Sequence, residues 1–90
     1  MDEFIKWFKI FFTYRGKDFE FTIHCNHLET NDNNWFYRIE LYVDGEYFDA
    51  DVFGTMIDGH PTSQYQFGVD VYINDDDIYT IDDVDIIDGE

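Results

Sequence analysis

The second half of this chain has no positive side chain. Lys6, Lys9, Arg15, Lys17 and Arg38 are the only basic residues among 90, and none follows Arg38. Six of the 21 acidic residues precede Ile39 and fifteen follow it, so almost all of the net charge of −16 sits in the last 52 residues. Such a field repels nucleic acid and anionic membranes and attracts basic proteins and cations. Cysteine is also scarce. Cys25 stands alone, which excludes an intrachain disulfide and fits a reducing compartment, so the expected location is the cytoplasm. The single proline, Pro61, leaves no room for a proline-rich linker, and one domain over residues 1–90 is the expectation. The opening MDEFIKWFKIFF carries acids in its first three residues and lysines inside its apolar part. That is a poor secretory signal and too short and charged for a membrane span.

Catalytic signatures are missing too. The chain has no phosphate-binding glycine loop, no serine elbow and no dinucleotide fingerprint. Paired carboxylates such as Glu40 and Asp49 suit acid–base work only in a cleft that drives their pKa values apart. An exposed sheet face in a chain this short offers none, so no enzyme is expected. Soft metal ligands are confined to His24, Cys25, His27 and the distant His60. On a strand Cys25 points away from its neighbours, so a zinc site or a Cys–His nucleophile is not expected. The acidic tail fails as an EF-hand: counting from Asp75, Tyr79 and Thr80 stand where an acid and a glycine belong. No cofactor and no metal are expected, although Asp75, Asp76 and Asp77 suit weak cation binding.

What is abundant is aromatic: ten Phe, seven Tyr and two Trp. Each can bury about 150–250 Å², which gives a small acidic chain a core and sets it apart from acidic disordered segments. The aromatics alternate with polar residues, the period of a half-buried strand. The clearest stretch is Trp35–Phe53. Asp44-Gly45 between two alternating runs predicts a hairpin with a two-residue loop. Leu41/Phe48, Ile39/Ala50 and Tyr37/Val52 then share one face; Glu40/Asp49 and Arg38/Asp51 share the other. A slip of one residue would scatter both sets.

Before this hairpin, Phe4–Phe12 fits both helical and strand spacing; β-branched and aromatic composition favours a strand. Strand–turn–strand is expected from Trp7 to Cys25, with Gly16-Lys17 as a type II′ loop that pairs Tyr14 with Phe19, Phe12 with Phe21 and Ile10 with Ile23. Asn26–Asn34 reads as a loop. Gly54–Gln64 reads as a long irregular connection that crosses to another strand position. Tyr65–Ile73 alternates with Tyr65, Phe67, Val69, Val71 and Ile73 inward, NDDD turns, and one more strand lies within Ile78–Ile87, its inner face contested between Ile78/Thr80 and Tyr79/Ile81. The expected fold is all-β: an antiparallel sheet, half-barrel or small sandwich of about six strands, with hairpins at Gly16-Lys17 and Asp44-Gly45.

Function is sought on the outward face. Asp18, Glu20, Glu40, Asp49, Asp51 and Asp70 fall at alternate strand positions, about 6.6 Å apart along a strand. That is close to the roughly 6–7 Å between successive phosphates implied by the charge density of duplex DNA. Asp75–Asp88 can extend the row, with Asp75, Asp76 and Asp77 contributing to the contact. Outward Tyr42, Tyr47 and Tyr72 supply anchors, since interface energy concentrates in aromatics. In size, charge and aromatic content the chain resembles the acidic anti-restriction and anti-CRISPR inhibitors of bacteriophages. The resemblance implies a nucleic-acid mimic that occupies a basic nuclease or nucleic-acid-binding complex and binds no nucleic acid itself. An immunity protein that neutralises a basic toxin would look the same. The outward aromatics also suit a self-associating structural protein or a homodimer. Acidity also serves solubility.

Overall fold

The computed structural model describes residues 6–63, 65–74 and 76–89. Nine strands, and no α-helix among the described residues, form two antiparallel sheets. Strands β1 (Trp7–Tyr14), β2 (Lys17–His24) and β9 (Val84–Gly89) make the smaller sheet in the order β2-β1-β9. The larger sheet runs β3 (Glu29–Thr30), β4 (Asn34–Val43), β5 (Glu46–Ile57), β7 (Gly68–Ile73) and β8 (Asp77–Ile81), with β6 (His60–Thr62) also paired to β5. The sheets face each other as an open sandwich, 46 × 23 × 21 Å.

The core follows from alternation. Phe8, Ile10, Phe12 and Tyr14 of β1 and Ile23 of β2 meet Trp35, Ile39, Leu41, Val43, Phe48, Ala50, Val52, Val69 and Val71 of the larger sheet, all buried. Trp35 is the clamp. Its indole is fully buried and stacks on Phe8 of the opposite sheet, with ring centroids 4.9 Å apart. Its Nε1 donates to the Thr62 carbonyl at 2.8 Å. Gly54 faces it across the β4–β5 pair, where a Cβ would lie 2.5 Å from the indole.

The central hairpin has the expected register throughout, from Asn34↔Thr55 to Val43↔Glu46. Asp44 and Gly45 both take positive φ, 51° and 80°, as a type I′ loop requires. The first hairpin turns one residue earlier than expected. Arg15 and Gly16 form its loop, both at positive φ (52° and 75°), and Tyr14 pairs with Lys17. The loop is therefore I′ rather than II′. Moving it by one residue shifts the register by two, which leaves every side chain on its expected face: Phe12 meets Phe19, and Ile10 meets Phe21. Arg15 adopts a backbone conformation that costs a non-glycine residue about 1–2 kcal/mol. Its guanidinium compensates, donating to Glu46 Oε2 at 2.7 Å and lying 4.7 Å from the Phe48 ring centroid. Lys17 reaches Asp44 at 3.5 Å, so two ion pairs tie the two hairpin tips together.

Four further expectations need correction. Asn26–Asn34 is not all loop, because Glu29 and Thr30 pair with Phe36 and Trp35. Gly54–Gln64 does not cross over. β5 continues to Ile57, turns at Asp58-Gly59 (φ 53° and 78°) and returns as β6. β7 then takes up the same edge of β5 opposite Asp49–Phe53. Tyr65 lies before β7 and is exposed, not inward. The expected last strand is two strands, because the chain leaves β8 at Asp82-Asp83 and enters the other sheet as β9 beside β1. In β8 the inward positions are Tyr79 and Ile81, opposite buried Val71 and Val69.

Candidate functional site

The outward side chains of the larger sheet form rows across its strands. Tyr42 faces Tyr47; Glu40, Asp49, Tyr72 and Ile78 form the next row; Arg38, Asp51, Asp70 and Thr80 the next; then Phe36, Phe53 and Gly68. Adjacent strands lie about 4.8 Å apart, so Glu40/Asp49 and Asp51/Asp70 are direct neighbours. Glu40, Asp49, Asp51, Asp70, Tyr42, Tyr47 and Tyr72, all nominated from sequence, therefore belong to one surface.

The other nominees stand apart. Asp75 lies outside the described residues. Asp76 sits in the β7–β8 turn, and Asp77 pairs with Ile73, opposite in parity to Tyr72. These two form a tip beside the face and do not extend its rows. Asp18 and Glu20 belong to β2 and to the outside of the other sheet. Alternation specifies in or out, not which sheet is meant.

Arg38 is the one basic residue on this face among the described residues, and it is tied down. Its Nε and Nη2 donate to the two carboxylate oxygens of Asp51 at 2.7 and 3.0 Å, a bidentate pair. The guanidinium also lies 5.3 Å from the Tyr72 ring centroid. The hydrogen bonds to Asp51 hold Arg38 above the ordinary arginine range. Asp51 is thereby neutralised, and Asp70 accepts a hydrogen bond from Thr80 Oγ1 at 2.9 Å. Sequence parity placed Arg38 opposite Asp51; nothing in it showed that Tyr72, on another strand, would form the other wall.

The tyrosines respond to the surrounding charge. The Glu40 carboxylate, within hydrogen-bonding reach, holds the Tyr47 hydroxyl well above its ordinary pKa, with Asp49 adding repulsion of the phenolate. Burial, then Asp51, raises Tyr72. Both side chains stay protonated donors at neutral pH. A cleft of about 250 Å³ opens between them, lined by Tyr47, Phe48, Asp49, Tyr72 and Asn74.

The smaller sheet carries a wider groove of about 580 Å³, walled by Phe11, Phe12 and Phe19 with Asp18, Glu20, Asp83 and Asp85. Cys25 is half-buried in a short 3-10 turn, where burial pushes its thiol pKa up and Asp88 adds to the rise. The His24 and His27 rings meet edge-on at 5.9 Å. Among the described residues no three His, Cys, Asp or Glu side chains converge closely enough to hold a metal ion. No described helix is long and apolar enough to cross a membrane.

Comparison of the chain with protein-family models, with curated proteins and with solved structures finds no match.

Proposed function

We propose that this protein is a small acidic inhibitor that docks on a basic nucleic-acid-binding protein and occupies the surface where nucleic acid would lie, in the manner of phage anti-defence proteins. The observation that carries the reading is the pairing of Glu40 with Asp49 and of Asp51 with Asp70 in successive rows of one rigid sheet. Glu40 and Asp49 lie about 4.8 Å apart across strands and Asp49 and Asp51 about 6.8 Å apart along one, nearly the interval of a phosphate backbone, with Arg38 offsetting the charge of Asp51. A β-sheet holds them there without the ordering cost a flexible acidic tail would incur on binding. Tyr42 and Tyr47, exposed and in edge contact at 5.1 Å, add apolar area at the end of the rows.

The test is capture from bacterial lysate on the immobilised protein, with stepwise salt elution and mass spectrometry. The expected result is one basic nuclease or nucleic-acid-binding complex, released by salt and displaced by competing DNA or RNA. Recovery of a cognate toxin alone would move the reading to an immunity protein. Recovery of the bait alone would move it to self-association.

A further inference from the structure

Two arginines packed against the larger sheet are seated in the same way, Arg38 on its outer face and Arg15, from the β1–β2 loop, at the end of the sandwich. Arg15 packs on Phe48 and donates to Glu46. Arg38 packs on Tyr72 and donates to Asp51. Each seat is an aromatic ring with a carboxylate beside it, which suits a planar guanidinium better than a compact, strongly hydrated ammonium.

Arg15 lies in a cleft it shares with Glu46, Tyr47, Phe48, Ile73 and Asn74. Next to it is the cleft of Tyr47, Phe48, Asp49, Tyr72 and Asn74. The two share Tyr47, Phe48 and Asn74, and each has a carboxylate, Glu46 in one and Asp49 in the other. Among the described residues no basic side chain lines the second. At about 250 Å³ it is below the range of small-molecule pockets, roughly 300–1,000 Å³, and of a size for one side chain. Arg38 does not repel an incoming cation here, because Asp51 already neutralises it.

We propose that the cleft between Tyr47 and Tyr72 is a recognition site for a single arginine side chain on the surface of the partner. Asp49 accepts the guanidinium hydrogen bonds and the tyrosine rings pack against its plane. The proposal rests on the reading of this face as a protein-binding surface and names the group it binds.

The test is NMR titration of the whole chain with N-acetyl-arginine amide and, separately, with N-acetyl-lysine amide. Saturable shifts confined to Tyr47, Asp49, Tyr72 and Asn74, several-fold tighter for arginine, are expected. Asp49→Asn should abolish them, Tyr72→Leu should weaken them, and Tyr72→Phe, which keeps the ring, should retain them. Equal binding of the two amides, or shifts of the same size at Asp18, Glu20 and Asp85, would overturn the proposal. Arginine capture by a chain that retains no basic partner from lysate would uphold the cleft and remove the inhibitor reading. A salt-sensitive partner indifferent to both Asp49→Asn and Tyr72→Leu would do the reverse.

Discussion

The sandwich has two outer faces, and both are acidic and aromatic, yet they are built differently. On the larger sheet the aromatics beside the carboxylates include Tyr42, Tyr47 and Tyr72, whose hydroxyls tolerate water and charge. On the smaller sheet they are Trp7 and Phe11, both half-buried. Trp7 lies across Gly89 of β9, so closely that a Cβ there would fall 1.9 Å from its indole, and so its area is used to hold its own sheet together. One face spends its aromatics on packing. The other leaves Tyr42 and Tyr47 exposed and lodges its one arginine between a ring and a carboxylate. Net charge alone does not distinguish the faces; the placement of hydroxyls and guanidinium does.

The largest expected effect abolishes both faces together. Trp35→Ala removes the indole that stacks on Phe8 and bonds to the Thr62 carbonyl. A loss of about 3–5 kcal/mol is expected, a large share of the roughly 5–15 kcal/mol a small domain has. Urea denaturation measures it. Trp7→Ala, on the outside, should cost clearly less.

The second experiment sets the faces against each other at equal charge. Replacing Asp49, Asp51 and Asp70 by Asn should weaken binding to the captured partner about tenfold or more and flatten its salt dependence. Replacing Asp18, Glu20 and Asp85 by their amides removes as many charges and should change affinity little. Equal losses from the two triple variants would mean that overall charge, and not this face, drives association.

A smaller effect sharpens the contrast. Arg38→Gln breaks a surface ion pair whose arginine side chain is 57% exposed, so stability should fall by only about 0.5–1 kcal/mol. It also releases Asp51 as a free carboxylate, so affinity for a basic partner should rise. Thermal melts and titration calorimetry on one variant separate the two.

The smallest effect is a titration. Tyr47 should be among the last tyrosines to ionise in a pH series followed by NMR or ultraviolet absorbance, and Glu40→Gln should bring its midpoint down. The sign follows from linkage. The folded state holds this proton more tightly than the unfolded chain, whose tyrosine pKa is about 10. The contribution is complete below that value and is lost as pH rises through the folded pKa.

The central hairpin was legible because Asp44-Gly45, alternation and cross-strand pairing all specify one register. The face residues Glu40, Asp49, Asp51 and Tyr47 came with it, and Asp70 and Tyr72 followed from the clean alternation of Val69–Ile73. Asp58-Gly59 has the same turn chemistry, but beside Gly54 and Pro61, and between MI and HPT that do not alternate as flanking strands should, it reads as part of an irregular connection. The Arg15-Gly16 loop is not legible locally, because positive φ is not a local preference of arginine; Glu46 and Phe48, some thirty residues on, help to hold it. The division of strands between two sheets was hidden for a general reason. Alternation says which side chains are buried but not against what, and the switch from β8 to β9 takes only Asp82-Asp83.

That switch has a consequence in time. β1 pairs with β9 from Trp7↔Gly89 to Phe12↔Val84, so the smaller sheet is completed by a strand made at the far end of the described chain. During synthesis β1 and β2 emerge first but lack the neighbour that covers Trp7, whereas the β4–β5 hairpin is whole as soon as Ile57 is out. The Tyr42–Tyr47 part of the larger sheet's face is thus assembled early and locally, Tyr72 joins it with β7, and the opposite face waits for β9 to return beside β1.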